Sequence, residues 1–212
     1  LFRSPHFQFK EARTPGRFVI DAKRLVLGYD TALTNPVDIQ LERGRKIALR
    51  GVNGLGKTTL LKTLLGIIPP ISGKIELGDF VEPGYFEQES TKGNDHTAIE
   101  DVWEEYPGMT NFEIRAALAA CGLTNEHITS KMMVLSGGEA AKVRLCKVMQ
   151  KPVNLLVLDE PTNHLDVEAK KELKRALKEY KGTILLVSHE PEFYEDWVDA
   201  VWNIESWTTK II

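Results

Sequence analysis

The sequence predicts an α/β fold in which a mostly parallel sheet core carries an antiparallel β element and a helical subdomain. Residues 45–65 read as a strand, a glycine-rich loop and a helix, a common unit of such folds. Residues 155–158 form a continuous apolar run, as expected for a strand buried on both faces of a parallel sheet. Between these segments, residues 97–150 show mostly the apolar spacing of helices.

The first part of the chain alternates predicted strands with turns. Residues 18–27 and 37–41 are expected to form the antiparallel β element, and Gly44 turns the chain into the strand before the loop. Pro69-Pro70 is expected to end the helix that follows the loop, because proline cannot continue a helix. The remaining expectations here are short strands at 73–77 and 85–88 and a polar loop at 89–96.

The later part is predicted to be mostly helical up to residue 150 and to alternate after it. A helix at 167–181 places Leu173, Leu177 and other apolar residues on one stripe, and its lysine-rich outer face is interpreted as solvated. The other expected elements are helices at 98–105, at 111–121 with Gly122 ending it, and after residue 136, and strands at 155–158, 183–187 and 200–204.

Residues 51–58, Gly-Val-Asn-Gly-Leu-Gly-Lys-Thr, match the phosphate-binding pattern G-x-x-x-x-G-K-[ST]. The glycines allow backbone N–H groups to line a concavity for phosphate oxygens, and the helix start adds its positive end. Lys57 is expected to reach the terminal phosphates and the Thr58 hydroxyl to bind Mg²⁺. Such a match alone also fits a glycine-rich turn that caps an ordinary helix. The predicted nucleotide contacts are Gly51, Asn53, Gly54, Gly56, Lys57, Thr58 and Thr59.

Two carboxylates, Asp159 and Glu160, follow the apolar run directly. Ligands of open α/β sheets collect at the carboxyl ends of strands, so these side chains are expected beside the phosphate loop. Asp159 is predicted to hold Mg²⁺, which prefers a few carboxylates together with waters and phosphates. Glu160 is then available to orient and polarise the attacking water.

The segment Leu135-Ser136-Gly137-Gly138-Glu139 reads first as a helix start. Ser136 as N-cap and Glu139 three residues later make a capping box. Two glycines after the cap cost about 1 kcal/mol each relative to alanine unless something approaches the backbone closely. A phosphate group is one such neighbour. The segment therefore fits both a helix cap and a phosphate contact.

These three segments together resemble the motif set of ATP-binding-cassette (ABC) ATPases, and the resemblance covers residues 18–205. Tyr29 resembles the aromatic residue that stacks on adenine, although a half-buried tyrosine at a strand end is the alternative. Gln88 resembles the glutamine that senses Mg²⁺ and water, with a plain surface residue as the alternative. Asp166 resembles the D-loop aspartate and also fits a helix N-cap. His189 resembles the switch histidine that contacts the γ-phosphate.

The resemblance implies a composite mechanism. Two cassettes pair head to tail, and each ATP with its Mg²⁺ lies between one phosphate loop and the other cassette's signature. Ser136, Gly137 and Gly138 are therefore expected to serve the nucleotide of a partner cassette. The isolated chain is expected to bind ATP and to hydrolyse it slowly.

Three details resemble the ABC-F branch, whose members carry two cassettes and act on the ribosome: Glu139, the run 159–166 and the run 187–190. Residues 1–17 resemble the end of the linker between cassettes, so residues 18–212 are expected to be the second cassette, with a helical subdomain at about 97–150. A first residue other than methionine agrees with a fragment. The implied function is translation or ribosome protection against antibiotics, with ribosome, rRNA and tRNA contacts mostly outside this segment. The alternative is the motor subunit of a membrane transporter.

The amino-acid composition excludes some classes of function but does not by itself assign one. The 212 residues hold 30 acidic and 27 basic side chains, and this balance argues against non-specific nucleic-acid binding by the segment itself. Arg3, Lys10, Arg13 and Arg17 form either a local RNA-binding patch or a solvated tail. Two cysteines are typical of a reduced, cytoplasmic protein. No apolar stretch has the length of a membrane span, so no membrane insertion is expected.

Overall fold

The computed structural model describes residues 4–87 and 94–207, which divide into two compact units. The sheet unit comprises Glu11–Tyr85, Val153–Glu160 and the described chain from Lys181 onward. The helical unit comprises the described residues before Glu11, those between Phe86 and Pro152, and Pro161–Tyr180. Gln88 and Arg3, for which roles are predicted above, lie outside the described residues.

The strands belong to two sheets. One has the order β2-β1-β4, and β1 pairs antiparallel with both neighbours; the other has the order β5-β6-β7-β3-β8. The strands are β1 (Phe18–Val26), β2 (Val37–Glu42), β3 (Lys46–Arg50), β4 (Ser72–Leu77), β5 (Pro83–Phe86), β6 (Leu155–Asp159), β7 (Thr183–Val187) and β8 (Ala200–Asn203).

The second sheet brings several strand ends to one edge. β3 pairs parallel with β7 and with β8, and β6 pairs parallel with β7, so the carboxyl ends of these four strands share an edge. Every residue of β6 and β7 is buried, as the apolar run at 155–158 predicts. The predicted α/β fold with an antiparallel element is thereby confirmed.

In the described part of the sheet unit, both sheets contribute to an apolar core. The helix α1 (Lys57–Leu64) packs its apolar residues into the same core. Fully or almost fully buried members from the three elements include Val19, Ile20, Ile39, Leu49, Leu60, Leu61, Leu155 and Leu185. This packing fixes the start of α1 relative to the strand ends that surround it.

The helical unit contains α2 (Ala98–Glu105), α3 (Asn111–Ala120), α4 (Asn125–Thr129), α5 (Gly137–Gln150) and α6 (Val167–Glu179). Four of these helices begin with reciprocal capping boxes, in which the N-cap and N3 residues satisfy each other's backbone N–H groups. Ala141, Leu145, Val148 and Met149 of α5 are buried, as expected from their spacing along one face of a helix. A last short helix, α7 (Pro191–Tyr194), belongs to the sheet unit.

The segment before β1 is packed rather than extended into solvent. Phe7 is fully buried, its N–H donates to Glu172 and its carbonyl accepts from Arg175. Three basic residues of the described part of this segment have partners: Lys10 donates to the Gln150 carbonyl, Arg13 lies 3.7 Å from the centre of the Phe80 ring, and Arg17 pairs with Glu42 at 3.2 Å. The assignment of residues 1–17 to a linker stays a prediction, but a solvated tail does not describe the part that is seen.

The predicted end of the helix that follows the phosphate loop is wrong. The helix α1 ends at Leu64 and not at Pro69-Pro70. Gly66 adopts φ 72°, and the N–H groups of Gly66 and Ile67 donate back to the carbonyls of Thr63 and Lys62. This left-handed glycine cap satisfies the last turn before the prolines are reached. Across residues 4–87 and 94–207, no helix has both the length and the apolar character needed to cross a membrane.

Candidate nucleotide site

The phosphate loop connects β3 to α1 in the sheet unit. Gly54 and Gly56 have φ values of 81° and 94°, a left-handed conformation that glycine adopts without a Cβ penalty. At Gly51 the reason for glycine is space, because an added Cβ would lie 2.4 Å from Ile204 Cγ2. The helix has no side-chain cap and no acidic residue in its first turn, which suits an external anion.

Lys57 folds over its own loop. Its Nζ donates to the Gly51 carbonyl at 2.8 Å, to the Val52 carbonyl at 3.2 Å and to Asn53 Oδ1 at 3.3 Å. Only 7% of the residue is exposed. Burial lowers the pKa of Lys57, and nearby carboxylates, Glu160 foremost, oppose that shift. A buried cation held by weak loop acceptors is well placed to exchange them for phosphate oxygens.

Thr58 and Asp159 meet at the mouth of the loop. The Thr58 hydroxyl donates to Asp159 Oδ2 at 2.6 Å, and Asp159 is 2% exposed at the end of β6. A hydroxyl and a carboxylate this close offer the oxygen donors that Mg²⁺ prefers, with phosphate and water completing its octahedron. No cluster of three or more acidic, histidine or cysteine ligands occurs among the described residues.

Glu160 and His189 form a pair beside these residues. Glu160 Oε1 lies 2.9 Å from His189 Nε2, and the Glu160 N–H donates to the Val187 carbonyl at the end of β7. Glu160 has φ 53°, a left-handed conformation that is unusual for a residue with a side chain. Burial raises the pKa of Glu160, while the charges of His189 and Lys57 oppose that shift. A carboxylate with a raised pKa at a strand end is a good candidate for a general base.

The sequence did not point to Glu205, which also reaches the loop. Its Oε1 accepts the Val52 N–H at 3.1 Å, and its charge acts on Lys57. Glu205 lies in a short 3₁₀ helix after β8, where Asn203 Oδ1 accepts its N–H. The pairing of β8 with β3 brings this carboxylate near the loop. No motif in the sequence around Glu205 predicts that pairing.

The remaining predicted contacts in the sheet unit differ in exposure. Tyr29 lies in a turn closed by the bridge between Gly28 and Ala32, and 66% of it is exposed. The turn reaches the phosphate loop through Leu33, whose Cδ1 would lie 3.2 Å from a Cβ placed on Gly56. Thr59, by contrast, is buried on the inner face of α1. The roles of both residues stay predictions.

The signature segment lies in the helical unit. Ser136 is the N-cap of α5, its Oγ accepts the Glu139 N–H at 3.3 Å, and Glu139 Oε2 accepts the Ser136 N–H at 2.8 Å. The predicted capping box is confirmed. A Cβ on Gly137 would lie 2.8 Å from the ring of His164, and one on Gly138 would lie 2.6 Å from the His164 carbonyl oxygen. This neighbour within the unit explains both glycines without a phosphate, and no sequence pattern pointed to His164.

Asp166 has two partners in the same unit. Its Oδ1 accepts the Ala169 N–H, which makes it the N-cap of α6 as one reading proposed. Its Oδ2 accepts from Lys142 Nζ at 2.8 Å, and this hydrogen bond, with those from the backbone, lowers the pKa of Asp166. Lys142 belongs to α5, so the D-loop and the signature helix are tied together. A nucleotide contact of Asp166 stays a prediction.

Comparisons with known proteins agree with this geometry. The family model described as ABC transporter matches residues 34–163. The chain is 61% identical over 208 residues to an uncharacterized ABC transporter ATP-binding protein, YfmM, of Bacillus subtilis (strain 168), and the match covers 98% of this chain and 40% of that protein. It is 43% identical over 198 residues to ABC transporter F family member 2 of Arabidopsis thaliana, covering 92% of this chain and 29% of that protein.

The fold is also shared with a solved structure. A bacterial Atm1-family ABC exporter with ATP bound superposes with a TM-score of 0.76 at 20% identity, covering 92% of this chain and 38% of that one. This likeness concerns the fold alone. The chain spans two fifths or less of the length of the two curated relatives named above. With the family model covering most of the chain and ABC-F members among its relatives, the chain belongs to the ABC ATPase family, as an ATP-binding domain.

Proposed function

We propose that this chain is the ATP-binding and hydrolysing cassette of an ABC-F-type protein that acts on the ribosome, and that it works as half of a head-to-tail pair. The observation that carries the ATPase assignment is the convergence of the phosphate loop, Asp159, Glu160 and His189 at one edge of the parallel sheet. The ABC-F assignment is supported by the run at 159–166 and by the F family relative.

The residues of the nucleotide site are proposed to have separate roles in phosphate binding, metal binding and hydrolysis. Lys57 exchanges its three loop acceptors for phosphate oxygens, and the buried cation thereby gains charged partners. Mg²⁺ held by Thr58 and Asp159 would neutralise charge on those oxygens. Glu160 takes a proton from the attacking water, or orients it, and His189 holds the Glu160 carboxylate in place.

The signature is proposed to act on the nucleotide of a second cassette. Ser136 and Gly137 are exposed at the start of α5, where a helix N-terminus offers N–H groups to an anion. A single chain then holds half of each composite site and hydrolyses ATP slowly. The specific rate per chain should rise with protein concentration, and fast turnover by a strictly monomeric sample would contradict this part of the proposal.

ATP binding is proposed to close the pair, and hydrolysis to open it again. The output is a conformational change on the ribosome, with rRNA and tRNA contacts made mostly by parts of the full-length protein beyond this segment. The setting implied is the cytoplasm, and the biological role is general translation or protection of ribosomes from antibiotics.

The test is ribosome co-sedimentation of the full-length parent protein carrying Glu160→Gln and the matching change in its other cassette. ATP-dependent retention on ribosomes is the expected result, because closed cassettes cannot reopen without hydrolysis. Lack of association, in a preparation shown to bind ATP, would overturn the ribosomal role. It would favour the transporter motor, the alternative with which the description of the matching family model agrees.

A further inference from the structure

Two capping boxes of the helical unit meet through their side chains. In α4, the Thr124 N–H donates to His127 Nδ1 at 3.3 Å, and the His127 N–H donates to Thr124 Oγ1 at 3.3 Å. In α5, Ser136 and Glu139 make the corresponding pair of hydrogen bonds. The outer atoms of the two N3 residues face each other, with His127 Nε2 lying 3.3 Å from Glu139 Oε1.

This arrangement fixes the state of the His127 ring. Because Nδ1 accepts the Thr124 N–H, the neutral ring carries its proton on Nε2 and presents it to Glu139. The two oxygens of Glu139 then have separate tasks. Oε1 faces His127, while Oε2 holds the Ser136 N–H at 2.8 Å. The orientation of the Glu139 carboxylate, and with it the Ser136 cap, is set from α4.

The environment of Glu139 supports a specific pairing rather than a loose surface contact. His127 and Glu139 side chains are each 29% exposed, so both are partly withdrawn from water. Burial alone would raise the pKa of Glu139, yet the hydrogen bonds from Ser136 outweigh burial and hold this pKa below its ordinary value. The carboxylate therefore stays ionised and can serve both neighbours at neutral pH.

We propose that His127 is a positioning residue for the signature: through Glu139 it holds Ser136 and the glycines that follow in the geometry that engages the ATP of a partner cassette. The inference rests on the proposed function, because it assigns His127 to the composite site of a cassette pair. His127 belongs to the helical unit, whereas the phosphate loop, Asp159 and Glu160 belong to the sheet unit. Its effect is therefore expected on pairing and not on the binding of ATP by a single chain.

Two substitutions separate this role from a role in α4 alone. Glutamine and glutamate both fit the N3 position of a capping box, so His127→Gln and His127→Glu both keep the Thr124 cap. Only glutamine keeps an N–H donor for Glu139, whereas glutamate places a like charge beside it. The two variants differ in the one contact under test, and each serves as the control for the other.

The first readout is hydrogen exchange in the whole chain. The Ser136 and Glu139 amides should exchange faster in His127→Glu than in His127→Gln, by about tenfold if the capping box is released. The Thr110 and Glu113 amides of the α3 capping box provide the internal reference and should exchange alike in both. Equal exchange at Ser136 and Glu139 in the two variants would overturn the inference.

The second readout is ATP-driven pairing in a Glu160→Gln background, measured by sedimentation velocity with ATP and Mg²⁺. His127→Gln should pair within about twofold of its parent and His127→Glu about tenfold more weakly, while both bind ATP as single chains equally well. Equal pairing by the two variants overturns the inference and leaves the proposed function standing. Failure of the parent itself to pair overturns the head-to-tail proposal, and the role of His127 falls with it.

Discussion

Two helices of this chain, α1 and α5, begin after glycine-rich segments, but they differ in how the backbone N–H groups of the first turn are capped. α1 begins at Gly56 without a side-chain cap and without an acidic residue in its first turn. α5 begins at Ser136 with a complete capping box and with Glu139 in its first turn. The first helix start lacks an internal anion, and the second already contains one. We therefore expect α1 to provide most of the affinity for ATP and α5 to provide the geometry for a partner's nucleotide.

The titrating groups near the two helix starts also differ, because burial sets the direction of the pKa shifts near α1 and hydrogen bonds set the direction of those near α5. In the sheet unit, burial lowers the pKa of Lys57 and raises the pKa of Glu160, so both charged forms are held against the cost of desolvation. In the helical unit, hydrogen bonds lower the pKa of Asp166 and outweigh burial at Glu139. The charged groups beside the phosphate loop are therefore stabilised by an incoming ion of opposite charge. The carboxylates beside the signature are already stabilised by hydrogen bonds within the helical unit.

The largest effect is expected at Glu160. Glu160→Gln keeps the shape of the side chain but removes the base, so hydrolysis should slow by about 10²–10⁴-fold while ATP binding persists. Single-turnover hydrolysis and equilibrium binding measure the two quantities separately. Glu195→Gln, an exposed change just after α7, is the matched control and should leave both unchanged. A Glu160→Gln chain that hydrolyses ATP at the parent rate would refute the assigned role.

Removal of the Lys57 ammonium group tests how much the phosphate loop contributes to the affinity for ATP. Lys57→Met should weaken ATP binding by about 10–100-fold, since it removes charged hydrogen bonds worth about 1.5–3 kcal/mol. Lys62→Met, one turn later on α1, is the control and should bind ATP normally. Ser136→Ala should leave binding by the single chain unchanged. Equal losses from Lys57→Met and Ser136→Ala would contradict the contrast between the two helix starts.

Stability offers a test of the signature glycines. Gly138→Ala should lower the free energy of unfolding by about 1–3 kcal/mol, because its Cβ would lie 2.6 Å from the His164 carbonyl oxygen, which is backbone. At Gly108 no atom lies within 4 Å of an added Cβ, so Gly108→Ala serves as the control. Chemical denaturation gives both values. A Gly138→Ala chain as stable as Gly108→Ala would show that His164 does not dictate this glycine.

The smallest effect expected is a shift in pH dependence. Glu160 acts as a base only when ionised, and burial raises its pKa, so hydrolysis should fall with decreasing pH at a midpoint above the ordinary 4.5. His189→Gln removes a charge that lowers this pKa and should move the midpoint to higher pH still, on a lower overall rate. Single-turnover rates against pH at saturating ATP measure it. A shift to lower pH in His189→Gln would contradict the pairing of these residues.

Much of the sheet unit was predictable because its signals are local. The phosphate loop, the apolar run before Asp159 and the position of Glu160 each follow from neighbouring residues, and β6 and β7 match the predicted strands within one residue. The end of α1 was not predicted, since a glycine cap acts before a proline and only the backbone angle of Gly66 decides it.

The unpredicted residues share a different property. Glu205 reaches the loop only through the pairing of β8 with β3. His127 meets Glu139 because the fold of the helical unit brings these two side chains within 3.3 Å of each other. His164 approaches the signature from a separate segment of the chain. Such contacts depend on tertiary packing between distant parts of the sequence, and no periodicity or motif within a short window encodes them.

The most direct test of the head-to-tail account is complementation between two inactive variants. Lys57→Met disables the phosphate loop and leaves the signature intact. Ser136→Asp keeps an N-cap residue but sets a carboxylate against phosphate, and it leaves the loop intact. In a head-to-tail pair, one of each variant rebuilds one complete site. An equal mixture should recover about a quarter of the wild-type ATPase rate if chains pair at random. A mixture no more active than its separate components, beside an active wild-type chain, would contradict the account.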